Sequence, residues 1–425
     1  MIAKLAWKNI WFKPLNTILS VILLTSSVAI ITTLILVEKQ FEEKFTKNID
    51  GVDLVMGAQG SPLQLILSSV YHVDAPTGNI SYDSAKVWMQ HPFVEKAIPL
   101  AFGDNYRGFK ILGTTSDYLE KYEAKIAEGK IFEKNFEVVI GSEIAQKLSL
   151  TLGDEFYGSH GDAAEGHVHE EYAYKVVGIA ATTGKVVDNL ILCTIPSVWQ
   201  MHGDHNQELE ESEKPVHGKE GHEHVEGDDH DYNHYHDVTI NEPGMEITAV
   251  LLKFRNKMGI VTWPRIIAQN TKMQVASPAL EVNRLFSLFG IGIQALQYLA
   301  YGIMLISGIS IFIALYNTLK ERKNEFALLR VNGAKRMQLT QLVLIESLLL
   351  CIVGFIFGTI LGRVALVLIS NSAEQDFKLS FNPYEFLWNK EGVLFLLTIG
   401  VGVVAALIPA IKAYKLNISK TLANA

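Results

Sequence analysis

The run PLNTILSVILLTSSVAIITTLILV fills residues 14–37 and contains no ionisable side chain. At ~1.5 Å rise per residue it is long enough, as a helix, to cross the ~30 Å hydrocarbon core of a bilayer. Three further apolar runs follow at 285–319, 338–369 and 392–411, close to the C-terminus. Buried helices of a soluble protein seldom exceed ~20 apolar residues, so membrane spans are the better reading of all four. The spacing predicts a one-plus-three membrane α-helical protein with a large domain, residues 38–284, inserted between the first and second spans. The second run is too long for one straight crossing, which places its first turns, 286–293, at or outside the interface. Only Glu346 and Arg363 interrupt the third run, towards its two ends, where long side chains reach headgroups or water.

Lysines and arginines near the span ends set the orientation. Lys4, Lys8 and Lys13 precede the first span, in the segment 1–13. Lys320, Arg322, Lys323, Arg330, Lys335 and Arg336 lie in the 320–337 loop between the second and third, and Lys412, Lys415 and Lys420 lie in the tail 412–425. If all four runs span, these clusters share one side. Both termini and the 320–337 loop are then cytoplasmic, and 38–284 and the 370–391 loop are extracytoplasmic, in the inner (cytoplasmic) membrane. The first run has no small-residue cleavage site after a short apolar core and reads as a retained span rather than a signal peptide. Hydrophobic residues make up 49% of the chain and charged ones 19%, as a multi-pass protein requires, and the net charge of −8 comes largely from the external domain. The two cysteines, Cys193 in that domain and Cys351 in the third span, form no disulfide framework.

Residues 38–284 read as an α/β domain. Short aliphatic or β-branched runs at 97–101, 109–114, 138–140, 174–179, 190–195 and 247–254 are bounded by Gly, Pro, Asp or Asn and predict strands. Ser61-Pro62 before LQLILSSVY is a helix start, and SEIAQKLSL (142–150) a short amphipathic helix. Residues 41–47 continue the first span outwards as a polar stalk.

Two segments differ in composition. Residues 159–170 and 201–237 carry His160, His167, His169, His202, His205, His217, His222, His224, His230, His234 and His236 among Gly, Asp and Glu, with almost no aliphatics. Such loops bury too little apolar surface to offset chain entropy. Imidazole is the commonest nitrogen ligand for Zn²⁺ and its neighbours, and a site takes three or four donors. The pairs His222/His224, His234/His236 and His230/His234 stand close in sequence, but no spacing matches a defined zinc motif such as HExxH. A loose zinc or other transition-metal site is expected here, with an inert or pH-responsive acidic spacer as the alternative. His72 and His91 stand alone and read as ordinary histidines.

No phosphate-cradling loop is present: GIAATTGKV (178–186) has one residue too many between its glycines and Val where Ser or Thr should hold Mg²⁺. No nucleophile elbow, HExxH or EF-hand loop appears either, and nothing points to an enzyme.

Residues 317–350, NTLKERKNEFALLRVNGAKRMQLTQLVLIESLLL, hold a short amphipathic helix, a glycine turn at Gly333 and the entry to the third span. Leu319, Phe326, Leu329 and Leu342 fall at helical spacing among charges. The helix is either a membrane-surface element or a docking element for a cytoplasmic partner. In the third span Gly354, Gly358 and Gly362 recur at i, i+4 on one face, the pattern that lets membrane helices approach closely. In GAQGSPLQLILSSVYHVDAPTGN (57–79), Leu63, Leu65, Ile66, Leu67 and Val70 either pack in the core or bind lipid or a lipidated cargo.

The pattern Arg322…Glu325-Phe-Ala327-Leu-Leu-Arg330…Gly333-Ala334…Glu346 resembles the signature of the MacB/FtsX/LolC permease family. The opening LAWKNIWFKPLNTILSVILL (5–24) and the external VVIGSEIAQKLSLTLGD (138–154) are similar to the same family. The resemblance implies a permease subunit of an ATP-binding-cassette transporter that transmits ATPase motion across the membrane to its external domain. ATP hydrolysis would sit on a separate ATPase subunit, with no nucleotide cofactor bound directly by this chain. A second permease copy or a paralogue would complete a dimer. By the same match Arg322, Glu325, Leu328, Leu329, Arg330 and Gly333 would form the coupling helix that touches the ATPase. Export or the handling of lipoprotein or lipophilic cargo is the implied task, with a periplasmic adaptor or a metal-binding protein as further partners. The alternative is a transmembrane regulator that activates an extracytoplasmic partner such as a cell-wall hydrolase. Direct metal transport ranks below both, because no span offers a run of buried His, Asp or Glu ligands.

Overall fold

No Pro or Gly interrupts the chain between Leu15 and Ile49, so the helix of the first span runs on well past its hydrophobic stretch. Helix α2 (Pro14–Ile49) therefore includes both the span and the charged stalk after it. In this computed structural model, residues 2–10, 14–159, 172–201, 244–377 and 380–416 are described. They fall into two compact units, Met1–Glu43 with Phe286–Ala425, and Lys44–Leu285.

The first unit is helical. Besides the span in α2 it contains α1 (Ile2–Ile10), most of α9 (Pro278–Glu321), α10 (Lys323–Val331), α11 (Arg336–Phe377) and α12 (Trp388–Tyr414). Four of these helices, α2, α9, α11 and α12, are long and apolar enough to cross a membrane. Their outward faces keep large apolar side chains such as Leu288, Tyr298, Leu305, Phe357 and Leu396 exposed, as a lipid-facing surface does. Their inward faces interlock around Leu24, Val28, Ile31, Met304, Ile311, Leu342, Cys351 and Ala406. Hydroxyls stitch the helices where lipid supplies no hydrophobic drive. Ser27 Oγ donates to the Ala300 carbonyl at 2.9 Å, Thr33 Oγ1 to that of Gly362 at 3.0 Å, and Ser347 Oγ to that of Gly402 at 2.7 Å.

The second unit is an α/β domain built on one mixed sheet. Its strands run in the order β12 (Met273–Ala276), β1 (Leu54–Ala58), β11 (Ala249–Phe254), β3 (Val94–Tyr106), β4 (Phe109–Thr114), β9 (Leu190–Thr194), β6 (Glu137–Ile140), β8 (Tyr174–Ala180) and β5 (Ile126–Gly129). A short β7 (Glu155–Phe156) pairs with β8, and β10 (Glu246–Ile247) pairs with β2 (Ile80–Ser81) in a separate two-stranded sheet. The β4–β9 and β6–β8 pairs are parallel and the rest antiparallel. Alternate residues of β8, from Tyr174 to Ala180, are buried, the period-2 pattern expected of a strand. The core gathers Leu54, Met56, Ile111, Val138, Ile140, Val176, Ile191, Cys193, Leu252 and Phe254. Helices α3 (Pro62–Ser69), α4 (Tyr82–Met89), α5 (Asp117–Lys121), α6 (Ser142–Leu148), α7 (195–201) and α8 (Met258–Asn270) pack around the sheet. Helix α3 starts where the sequence places it: Ser61 Oγ accepts from Gln64 N at 3.4 Å and Pro62 occupies the first turn. Within 57–79, Leu65, Ile66 and Val70 are buried in the domain, while Leu63 and Leu67 are half-buried. At Gly129, where φ is +80°, a Cβ would collide with the Val177 carbonyl, so only glycine lets β5 sit this close to β8.

Candidate functional site

The loop between the second and third apolar helices is built from a helix break and a helix restart. Arg322, with φ −94° and ψ 19°, ends the run of α9 and precedes α10, and Gly333, at φ +93°, supplies the turn that α10 needs before α11. Within α10 the side chains divide sharply. Phe326 and Ala327 are buried in the helical core, while Leu328 and Val331 are 53% and 60% exposed. Leu329 is exposed as well, and Ala327 takes the inner position. Around the helix Ala327 lies ~100° from Phe326 on one side and Leu329 ~60° on the other, so the core covers the Ala327 side of Phe326. Arg322 bonds Glu325 at 2.6 Å across one turn, and its guanidinium stands 6.0 Å from the Phe326 ring. Arg330 turns back to donate to the Ala334 carbonyl at 2.7 Å, closing the glycine turn. The six residues Arg322, Glu325, Leu328, Leu329, Arg330 and Gly333 thus share one short segment. Three of them (Arg322, Arg330 and Gly333) are used to shape it and three (Glu325, Leu328 and Leu329) face outwards.

Gly354, Gly358 and Gly362 lie together on the face of α11 that meets α2. Their neighbours are Leu24, then Val28 with the Thr25 carbonyl, then Thr32 with the Ala29 carbonyl. The glycine stripe is an intramolecular contact between the first and third apolar helices. It removes three side chains from the place where two backbones come closest.

Both charges of the third apolar helix differ from expectation. Glu346 does not reach towards water; it is buried and accepts a hydrogen bond from Asn9 Nδ2 on α1. Arg363 is bonded through one terminal nitrogen to both carboxylate oxygens of Glu391, at 2.7 and 3.0 Å, and Glu391 is only 1% exposed. The same nitrogen reaches the Glu385 carbonyl at 3.3 Å, and the guanidinium stands 5.5 Å from the Phe386 ring. Each charge has a protein partner, and burying it unpaired would cost several kcal/mol, about 3–5 on removal of one partner. Sequence reasoning missed Asn9 and Glu391, although a lone arginine in an apolar run is itself the signal that an acid should be sought near a span end.

The eleven histidines His160, His167, His169, His202, His205, His217, His222, His224, His230, His234 and His236 lie outside the described residues. Among the described residues, no group of three or more His, Cys, Asp or Glu side chains could hold a metal ion. His72 is buried, with Nε2 2.9 Å from Tyr118 Oη. Burial, with Lys110 and Lys121 nearby, pushes its pKa down to about 3. His91 stacks edge-on against Trp263, 5.3 Å between centroids. Cys193 and Cys351 are both free and buried.

Two family models match this architecture part for part. Residues 15–211 match the MacB-like periplasmic core domain, and residues 298–418 match the FtsX-like permease C-terminal. The chain is a MacB/FtsX-type ABC permease. Its curated relatives include the macrolide export ATP-binding/permease protein MacB of Campylobacter jejuni, 28% identical over 114 residues, which are 27% of this chain and 17% of that protein. The MacB of Agrobacterium fabrum is 28% identical over 121 residues, 28% of this chain and 18% of that one. The aligned stretch thus spans under a fifth of those relatives' length. Among solved structures, the periplasmic region of MacB from Actinobacillus actinomycetemcomitans shares 8% identity at a TM-score of 0.34, over 57% of this chain and 97% of that chain. The extracellular domain of the noncanonic ABC-type transporter YknZ from Gram-positive bacteria shares 11% at 0.30, over 53% and 99%. The assignment rests on the family models, and it makes the four apolar helices the spans of a multi-pass membrane permease with an α/β domain between the first two.

Proposed function

We propose that this permease is driven by an ATP-binding-cassette ATPase on a separate polypeptide, which docks on α10. The observation that carries the reading is the division of α10. Phe326 and Ala327 root it in the span core, while Leu328, Val331 and Glu325 present an apolar and acidic face outwards. A helix anchored on one side and free on the other moves the spans when a partner moves it. The positive clusters support a topology with α10 and both termini in the cytoplasm and residues 38–284 outside, at the inner membrane. ATP-driven closure would then be transmitted through the spans to the external domain of a dimer, made with a second copy or a paralogue. Export, as in the names of the MacB relatives, or handling of lipophilic or lipoprotein cargo is the task this arrangement suits best. Zinc or another transition metal bound by the histidine-rich segments would make the cycle metal-responsive.

The test is co-purification of the full permease with its ATPase. Glu325→Lys reverses the exposed charge while leaving Phe326 and Ala327 in place. It should abolish association without altering the elution volume or thermal unfolding of the permease alone. Normal association together with retained transport would refute the docking assignment.

A further inference from the structure

Lys121 is the last residue of α5, and its Nζ donates to the backbone carbonyl of Asn48 in the final turn of α2 at 2.5 Å. The same nitrogen stands 3.4 Å from the centroid of the Tyr122 ring. Beside it opens a cleft of about 260 Å³, lined by the Gly51–Val52 turn after α2 and by residues of β3 and β11. Five charged side chains line this cleft: Lys96, Glu120, Lys121, Glu123 and Lys253. Four of them are neutralised within the domain. Lys96 pairs with Glu120 at 2.6 Å, Glu123 with Lys185 at 3.3 Å and Lys253 with Glu95 at 2.8 Å. Lys121 is the exception, for among the described residues its polar contact is a neutral carbonyl.

An aromatic face and one carbonyl are incomplete solvation for an ammonium group removed from water. Burial, reinforced by the neighbouring charge of Lys185 and opposed by Asp50, lowers the pKa of Lys121 to about 6. Methionine would fill the same space without that penalty, so packing alone does not account for a lysine here. An anion in the cleft would supply the missing partner. The volume lies just below the ~300 Å³ at which small-molecule pockets begin, which suits a headgroup rather than a whole drug-sized molecule.

We propose that this cleft binds a small oxyanion, a carboxylate or a phosphate headgroup, with Lys121 as its cationic partner. The site is independent of whether α10 docks an ATPase. In the empty cleft Lys121 is largely neutral at pH 7, so binding takes up a proton. Affinity therefore rises as pH falls towards about 6 and levels off below it. The groups facing Lys121 are Asp50 after α2, Glu120 and Tyr122 at the end of α5, Glu123 and Lys185 in the loops, Lys96 on β3 and Lys253 on β11. Of these, Tyr122 is shifted upward by burial, and Lys96 upward by its bonds to Glu120 and Asp117, both away from that window.

The experiment uses the full chain in nanodiscs of zwitterionic lipid, with its lysines carrying ¹³C-methyl labels. Inorganic phosphate and acetate serve as probes. One lysine resonance, absent from Lys121→Met, should titrate far below the others and shift upward saturably with either probe. Lys121→Met should weaken binding by about tenfold or more, the loss of one charge-assisted bond, while its unfolding temperature stays level or rises. Discs containing an anionic phospholipid separate the sources. The same shift without added anion assigns a lipid headgroup, and a shift only with added anion assigns a free one. A Lys121 resonance indifferent to every probe, or undiminished binding by Lys121→Met, would overturn the proposal.

Discussion

Substituting alanine along the glycine stripe of α11 tests whether the close approach of α2 and α11 is set by missing side chains. At Gly358 a Cβ would lie 2.5 Å from Val28 Cβ, 2.7 Å from Val28 Cγ1 and 3.0 Å from the Thr25 carbonyl oxygen. None of these is the far end of a flexible chain, so the helices must separate. Overpacking of this kind costs about 1–3 kcal/mol, against up to ~1 kcal/mol gained from alanine's helix propensity. A net loss of about 1–2 kcal/mol is expected. At Gly354 the nearest atoms are Cδ2 and Cγ of Leu24, at 2.7 and 3.0 Å, so a rotamer change relieves part of the clash. Gly400 on α12 has nothing within 4 Å and serves as the control. There alanine should be neutral or slightly stabilising. Second-site changes sharpen the test. Leu24→Ala should rescue Gly354→Ala, because the clashing atoms leave. Val28→Ala should rescue Gly358→Ala poorly, because Val28 Cβ itself is the closest atom. The assay is thermal unfolding of the detergent-solubilised chain, read as the monodisperse fraction surviving on size exclusion. A Gly358→Ala variant that melts with or above the parent would refute the reasoning.

Two further perturbations probe the buried charges. Glu391→Gln leaves Arg363 without its carboxylate and should destabilise the helical unit by roughly 3–5 kcal/mol. Arg363→Met with Glu391→Met should recover most of that in the same melting assay. His72 stays neutral in the folded domain down to about pH 3, whereas the unfolded chain protonates it near its ordinary value of 6.5. Its contribution is therefore complete above about pH 6.5 and is lost, at no more than ~1.4 kcal/mol per pH unit, as pH falls towards 3. His72→Asn, which tolerates the positive φ of 54° at this position, should flatten that acid slope of stability. An unchanged slope would show that His72 is not the group being titrated.

Local pattern carried much of this architecture. The strands over 109–114, 138–140 and 174–179 were visible because their alternation and their Gly or Asp borders lie within a few residues. The capped start of α3 was visible for the same reason. By contrast β1 and β12, which form one edge of the sheet, escaped notice. LVMGA and MQVA are short and mark themselves as strands only through pairing with each other and with β11. Which of the consecutive apolar residues of FALL turn inward was not legible, because one-dimensional spacing does not say so.

The sequence by itself determined the one-plus-three spans, the domain between the first two and the exposed loop at 320–337. Length and hydropathy of a contiguous stretch are sufficient for a bilayer to act on. Tertiary structure alone decided which polar groups are satisfied and by whom. Asn9 meets Glu346 from 337 positions away, Arg363 finds Glu391 across a helical turn-back, and Gly358 makes room for Val28. It also left Lys121 beside a cleft with a backbone carbonyl, rather than a carboxylate, as its polar contact among the described residues. Charge pairing and desolvation depend on distances between segments, and those distances exist only once the helices and the sheet have packed.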